Sequence, residues 1–298
     1  MPLELIDLVT FSAVARSGGI TRAAEELNTV QSNVTQRVKA LEAEIGTALF
    51  ERHSRGMTLT GAGRRLLPYA QRMAALSREA LLAARDDGEP KGPLAIGSME
   101  TTAAVRLPGL LAEFHRRFPK VTLTLKTATT ADLVTGVLEG TLDGAFVAAP
   151  IEHGDLLSAV AFHEELVLVS ALRFSSLTAL RAGTSGSGPT ALVFRTGCTY
   201  RQRLEQLLTD FGWPSAVRFE LGTLDGMIGC VAAGMGVTLL PRAVVERSQQ
   251  RDEISIHALD TPWSRVDTLF VQRRSTHRYS ALTGFTSCLT AADHVIAA

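Results

Sequence analysis

Leu5, Leu8, Val9, Phe11 and Ala15 recur at steps of three and four residues, the spacing of a buried stripe on an amphipathic helix. Ser17-Gly18-Gly19 stops this helix, and Thr21 is placed to cap a second one by accepting a backbone N–H, with Ala23, Ala24 and Leu27 turned inward. Asn28-Thr29 closes a turn into a third helix that starts near Gln31. Val34, Val38, Leu41 and Ile45 occupy one face of that helix, leaving Ser32, Thr35, Gln36 and Lys39 opposite and Asn33 and Arg37 on its flanks. Alternation then replaces helical spacing. Leu49 to Arg52 and Met57 to Thr60 read as strands around the turn His53-Ser54-Arg55-Gly56, a hairpin with basic residues at its tip.

Helix, turn, helix and hairpin in this order predict a winged helix-turn-helix, whose third helix enters the major groove of double-stranded DNA. There, amide and guanidinium groups read adenine and guanine edges. An outward polar face taken alone describes any solvated helix equally well; the basic hairpin is what favours DNA. Gln31, Ser32, Asn33, Thr35, Gln36, Arg37 and Lys39 are the candidate contacts on the helix, with Gln36 and Arg37 foremost. Arg52 and Arg55 on the hairpin, and Arg64 and Arg65 beyond it, are candidates for phosphates.

Between Gly63 and Asp87, Leu66, Ala70, Met73, Leu76 or Ser77, Ala80 and Ala84 form a seam for another helix, followed by the breaker-rich stretch Asp86 to Pro93. The pattern then alternates strand and helix. Leu94–Gly97, Val121–Lys126 and Gly144–Ala148 read as strands, with helices over 102–117 and 132–139 between them. A second series has strands at 166–171, 191–194, 217–221 and 237–240 and helices at 200–211 and 224–233, and a last strand over 268–272 returns to the first series. Two α/β lobes joined by two crossings, near 161–164 and 265–268, enclose a cleft suited to a small ligand.

The run Ala23-Ala24 to Leu27, then Gln31-Ser32-Asn33-Val34-Thr35 through Leu41-Glu42, Leu49-Phe50-Glu51-Arg52 and Leu59-Thr60-Gly61-Ala62-Gly63 resembles the LysR-type transcriptional regulators. Phe118-Pro119, Gly140 to Gly144, Val231 to Val237 and Leu240-Pro241 are similar to the effector domain of that family, so the resemblance covers nearly the whole chain. Two departures are visible. Val30 stands where the family commonly has Ser, and Ser32-Asn33-Val34-Thr35 replaces a common Pro-Ala-Leu-Ser.

The resemblance implies a multidomain fold: an all-α winged helix-turn-helix head over residues 1–62, a linker helix and hinge over 63–90, and an effector-binding domain over 91–298. That domain is expected to be a two-lobed α/β unit like the type II periplasmic binding proteins, with lobe I at about 91–162 and 267–298 and lobe II at about 163–266. The resemblance also implies a homodimer or homotetramer assembled through the linker helix.

The 30 Lys and Arg balance 30 Asp and Glu. The distribution matters more: residues 1–30 carry four acids and two arginines, whereas 31–65 carry six Lys and Arg against three Glu. No signal segment and no apolar run of membrane-spanning length is evident, so a cytoplasmic protein without a membrane partner is expected. Cys198, Cys230 and Cys288 show neither paired nor metal-ligand spacing, and no metal or other cofactor is expected.

Hydroxyls crowd the joints from strand to helix: Ser98, Thr101, Thr102, Thr127, Thr129, Thr130, Thr196, Thr199 and Thr223. Each is a potential helix cap, but together with Arg195 and the free N–H groups of helix starts they suit a carboxylate or similar anionic ligand. Met99, Gly197 and Cys198 complete the candidate effector site, and the resemblance favours Ser98, Thr127, Cys198 and Thr223 within it.

Cys198 carries a second reading. At a loop-to-helix junction beside Arg201, its thiol pKa can fall and make it a redox sensor, and Gly197-Cys198-Thr199-Tyr200-Arg201 locally resembles the sensing cysteine of the peroxide-responsive branch of the family. A second cysteine a few residues on, used by that branch, is missing here. A solute-binding protein shares the sensor fold but needs neither the head nor a cytoplasmic chain. An enzyme would need a pair such as Cys198 with His163; the seven histidines fall in no catalytic motif, and no phosphate loop is present.

Overall fold

The computed structural model describes residues 3–53, 56–184, 186, 188–261, 264–274 and 279–296, with side chains through Leu289 in the last helix. Arg55 and His277, and the side chain of His294, lie outside the described residues. The chain divides into two compact units, one of the residues up to Asp87 with Leu138–Thr141, the other of Gly88–Val137 and the residues from Leu142 on.

The first unit comprises α1 (Leu5–Ser17), α2 (Ile20–Glu26), α3 (Gln31–Ile45), the hairpin β1 (Phe50–His53) and β2 (Gly56–Leu59), and the long α4 (Gly61–Arg85). Its core joins Leu8, Phe11, Val14, Ala23, Val34, Val38, Leu41, Leu49, Phe50 and Ala70. The Phe11 and Phe50 rings lie 5.2 Å apart and tie the hairpin to α1. Gly18, at φ 69°, ends α1 in the left-handed region that other residues enter at a cost. Helix α2 begins at Ile20 with Gly19 as its cap, so the Thr21 hydroxyl falls inside the first turn and makes no cap. Ile45, placed on the inner face by spacing, is 37% exposed because α3 runs past the core in its last turn.

The second unit is α/β, with β3 (Gly92–Ser98), α5 (Glu100–Val105), α6 (Leu107–Arg117), β4 (Val121–Thr127), α7 (Thr130–Leu138) and β5 (Gly144–Ala148). The strands β4, β3 and β5 pair in parallel, as two helical crossovers require. The helix expected over 102–117 breaks at Arg106, because Pro108 follows at the start of α6 and has no N–H to continue the ladder. Next come β6 (Leu156–Ala171), α8 (Leu177–Ala182), β7 (Ala191–Val193), α9 (Thr199–Asp210), β8 (Arg218–Glu220) and α10 (Leu224–Ala232). The chain closes with β9 (Thr238–Pro241), α11 (Arg242–Glu246), β10 (Ile254–Ala258), β11 (Arg265–Arg273) and α12 (Ser280–Ile296).

One seven-stranded sheet runs through this unit in the order β10-β6-β11-β5-β3-β4, with β9 also on β6. Strand β6 spans 16 residues, and antiparallel β6 and β11 are the two passages between the lobes. Their register shifts between Thr268 and Leu269, where an extra residue bends the paired strands at the crossing. Two lobes thus face each other across the ends of β3, β4 and β7.

Candidate nucleic-acid interface and ligand cleft

Helix α3 turns Val34, Val38 and Leu41 into the head and leaves a polar outer face. Gln31, Ser32, Gln36 and Lys39 are exposed. The side chains of Ser32, Gln36 and Lys39 make no hydrogen bond or ion pair among the described residues. The other candidates are already engaged. Asn33 Nδ2 donates to Thr29 Oγ1 at 2.9 Å, and Thr35 Oγ1 donates to the Gln31 carbonyl at 2.8 Å. Arg37 Nη1 donates to Asp7 Oδ1 at 2.8 Å, tying α3 to the first turn of α1. The groove beside it is lined by Glu4, Asp7 and Glu44 as well as Asn33, Gln36 and Arg37, so Arg37 faces acids. A residue expected among the foremost base readers thus also ties two helices of its own head.

The hairpin is set by a residue that the spacing argument passes over. Glu42 Oε1 accepts from the N–H groups of Leu49 and Phe50 at 2.8 and 3.2 Å, fixing the entry of β1 on α3. Thr60 Oγ1 donates to the Ala48 carbonyl and accepts from Gly63 N–H, closing the hairpin and capping α4 together. Arg52 is exposed on the wing. Arg64 Nη1 donates to the Leu59 carbonyl.

In the second unit, a cavity of about 260 Å³ opens between the lobes. Six of the expected residues line it: Met99, Thr101, Thr127, Thr129, Arg195 and Cys198. Thr130, another of the hydroxyls at the strand-to-helix joints, lines it too, as do Glu100, Ala128, Asp132, Phe194, Tyr200, Leu221 and Gly222, which were not anticipated. The remaining four do not line it. Ser98 is fully buried at the end of β3, its hydroxyl donating to the Met99 carbonyl. Thr223 Oγ1 accepts from Gly226 N–H and caps α10, and Thr199 opens α9. Gly197, at φ 92°, brings its loop so close to α7 that an added Cβ would lie 3.0 Å from Thr129 Oγ1. Its carbonyl accepts from Ala131 N–H across the cleft.

Further bonds span the lobes. Glu100 Oε1 accepts from Leu224 N–H at 3.1 Å, at the start of α10. Arg106, at the break between α5 and α6, makes a two-pronged pair with Glu164 on β6, at 2.8 and 2.9 Å. The Glu164 hydrogen bonds raise the Arg106 pKa and hold it charged. The hydroxyls of Thr101 and Tyr200 are neighbours on the cavity wall, both nearly fully buried, yet neither completes a hydrogen bond of normal geometry. Burial, more than the nearby Glu164 charge, pushes the Tyr200 phenol far up.

Cys198 precedes α9, but burial raises its thiol pKa and outweighs the lowering by the Arg201 and Tyr200 N–H groups and the Arg201 charge. The expected thiolate is therefore disfavoured. His163 bonds Asp267 on the neighbouring strand at 2.7 Å, so it is not held against a nucleophile. Among the described residues no cluster of His, Cys, Asp or Glu could hold a metal, and no helix is long and apolar enough to cross a membrane.

A winged helix-turn-helix head and a two-lobed α/β domain around a cavity make up a DNA-binding transcriptional regulator with a sensor domain. Residues 5–64 match the family described as bacterial regulatory helix-turn-helix protein, lysR family, and residues 87–293 match the LysR substrate binding domain. The chain belongs to the LysR family of transcriptional regulators. It is 44% identical to the HTH-type transcriptional regulator YusT of Bacillus subtilis (strain 168) over 288 residues, 97% of this chain and 96% of that one. It is 41% identical to the HTH-type transcriptional regulator GltR of the same organism over 285 residues, 96% of this chain and 95% of that one. In fold it is similar to the crystal structure of CbnR, a LysR family transcriptional regulator, with TM-score 0.67 at 23% identity over 97% of this chain and 99% of that one. It is also similar to full-length CbnR complexed with its target DNA, with TM-score 0.65 at 24% identity over the same shares.

Proposed function

We propose that this regulator binds an interrupted inverted repeat as a homodimer or a pair of dimers in the cytoplasm, and that a small ligand bearing a carboxylate, bound between the lobes, changes how its heads meet DNA. The observation that carries the ligand reading is Arg195. Its guanidinium lines the cavity with no partner among the described residues, beside the unsatisfied hydroxyls of Thr101 and Tyr200. Arg195 is exposed at the cavity wall and offers its charge to an anionic oxygen, and the two buried hydroxyls beside it gain from the same ligand.

On the head, Ser32 and Gln36 read bases while Lys39, Arg52 and Arg55 meet phosphates. The exposed apolar stripe of α4, with Tyr69, Met73 and Leu76, is the surface for a second copy.

The test is a selection of sheared genomic DNA by purified protein at near-physiological salt, read by sequencing. Enrichment of a few intergenic sites with a two-fold repeat is the expected result. Uniform, weak recovery both with and without a cell-extracted pool of small carboxylates sinks the reading.

A further inference from the structure

The cleft carries charges of both signs, and that restricts its occupant more than Arg195 does alone. Against one cation, Arg195, its wall presents two carboxylates, Glu100 and Asp132. Each has one oxygen committed: Glu100 Oε1 to Leu224 N–H, and Asp132 Oδ2 to the Thr129 hydroxyl at 2.8 Å. Glu100 Oε2 and Asp132 Oδ1 accept no hydrogen bond among the described residues. A ligand with negative charge only would gain at Arg195 and be repelled by both acids; one with positive charge only meets the reverse. A molecule carrying both charges satisfies all three groups.

Size narrows the class further. At about 260 Å³, the cavity lies below the range of roughly 300–1,000 Å³ usual for drug-sized ligands. Met99, Phe194 and Leu221 supply apolar wall beyond the charged groups.

We propose that the effector is a zwitterion of the free α-amino acid class, its carboxylate on Arg195 and its ammonium between Glu100 and Asp132, with the Thr101 and Tyr200 hydroxyls as further partners. The inference rests on the cleft being the effector site, and it adds the cationic half of the ligand. Because Glu100 also holds the start of α10 from the opposite lobe, an ammonium arriving there acts on a contact that joins the lobes.

The experiment is calorimetric titration of the full-length protein with the common amino acids, one at a time, and with two matched series: the same skeletons without the amino group, and the same without the carboxylate. At least one amino acid is expected to bind saturably, with both of its truncated partners weaker by about tenfold or more. Arg195→Gln and Asp132→Asn are each expected to weaken it comparably, with melting curves of the ligand-free variants unchanged. Equal binding of the deaminated acid, still lost in Arg195→Gln, overturns the zwitterion and leaves the cleft site standing. Amino acid binding indifferent to both substitutions removes the cleft itself as the site. No saturable amino acid, while genomic selection still returns specific sites, also overturns the proposal.

Discussion

A polar side chain on a reading helix is available to a base only if its own domain has not already claimed it. Asn33, Thr35 and Arg37 are claimed by Thr29, Gln31 and Asp7, whereas Ser32 and Gln36 are not. Gln36→Ala is therefore expected to relax preference at one position of each half-site, by about 1–3 kcal/mol against the wrong base. Arg52→Ala should instead weaken every sequence alike and lower the salt slope by roughly one. Titration of both variants on single-substituted operators at several salt concentrations separates the two roles. Uniform losses from Gln36→Ala would contradict its assignment. Helical spacing reveals which face is polar, but Asp7 pairs with Arg37 from 30 positions away, and that distance is why the engagement of Arg37 was not legible in the sequence. A second residue-scale consequence concerns pH. His257 is buried on β10 with Nε2 2.7 Å from the Ser170 hydroxyl, and burial lowers its pKa below the ordinary 6.5. The unfolded chain then binds a proton that the folded chain refuses, so stability rises with pH across this window. It should be complete above pH 6.5 and decline as pH falls through 6.5 toward the lowered folded value. Denaturant midpoints measured across that range should show this slope in the wild type and lose part of it in His257→Gln.

At the scale of elements, α4 is divided between two tasks. Ala70 is buried in the core of the head and Leu66 packs against it, so the first turns of the expected seam serve their own domain. On the other face of α4, Tyr69, Met73, Leu76 and Leu81 are 64, 43, 62 and 54% exposed, apolar side chains that water solvates poorly. Leu76→Glu is expected to shift the full-length protein from dimer to monomer in sedimentation at micromolar concentration, with the helical signal of circular dichroism unchanged. A dimer that persists at the same concentrations means that the copies meet elsewhere. The seam was legible because helical spacing is local; its division was not, because the partners of Leu66 and Ala70 come from α1 and the hairpin. The same limit explains the other elements. Ile254 to Ala258 alternates apolar and polar residues and forms β10, yet it lies outside the elements expected from the pattern, as do the short α8 and α11 and the whole of α12. Strand β6 starts ten residues before the expected Leu166, since Ser158, His163 and Glu165 along it are exposed and mask its apolar alternation.

For the whole molecule, the LysR family and the two-lobed fold were legible because several motifs occur together in order along the chain. The cleft was only half legible. Its walls come from the ends of β3, β4, β7 and β8, in two separate stretches of chain at 99–132 and 194–222, so hydroxyls at helix starts could be named, whereas Glu100, Asp132 and Tyr200 could not be assigned to one cavity. Side-chain bonds add to the backbone pairing of β6 and β11 here, among them Arg106–Glu164. Glu164 is 5% exposed, so its charge has little water to fall back on. Removing Arg106 leaves a buried carboxylate without its partner, a change that typically costs about 3–5 kcal/mol, whereas replacing both members by apolar residues of similar size is often close to neutral. Arg106→Met is accordingly expected to lower the unfolding free energy by an amount near that range, and the double variant Arg106→Met, Glu164→Met to recover most of the loss. Urea unfolding of the wild type, both single variants and the double variant closes the cycle and gives the coupling directly. If the double variant regains stability but responds to ligand more weakly on its DNA, the pair sets the lobe geometry that the ligand acts through. If it regains stability and responds normally, the pair only fills the crossing, and the signal passes through Glu100 and α10 instead.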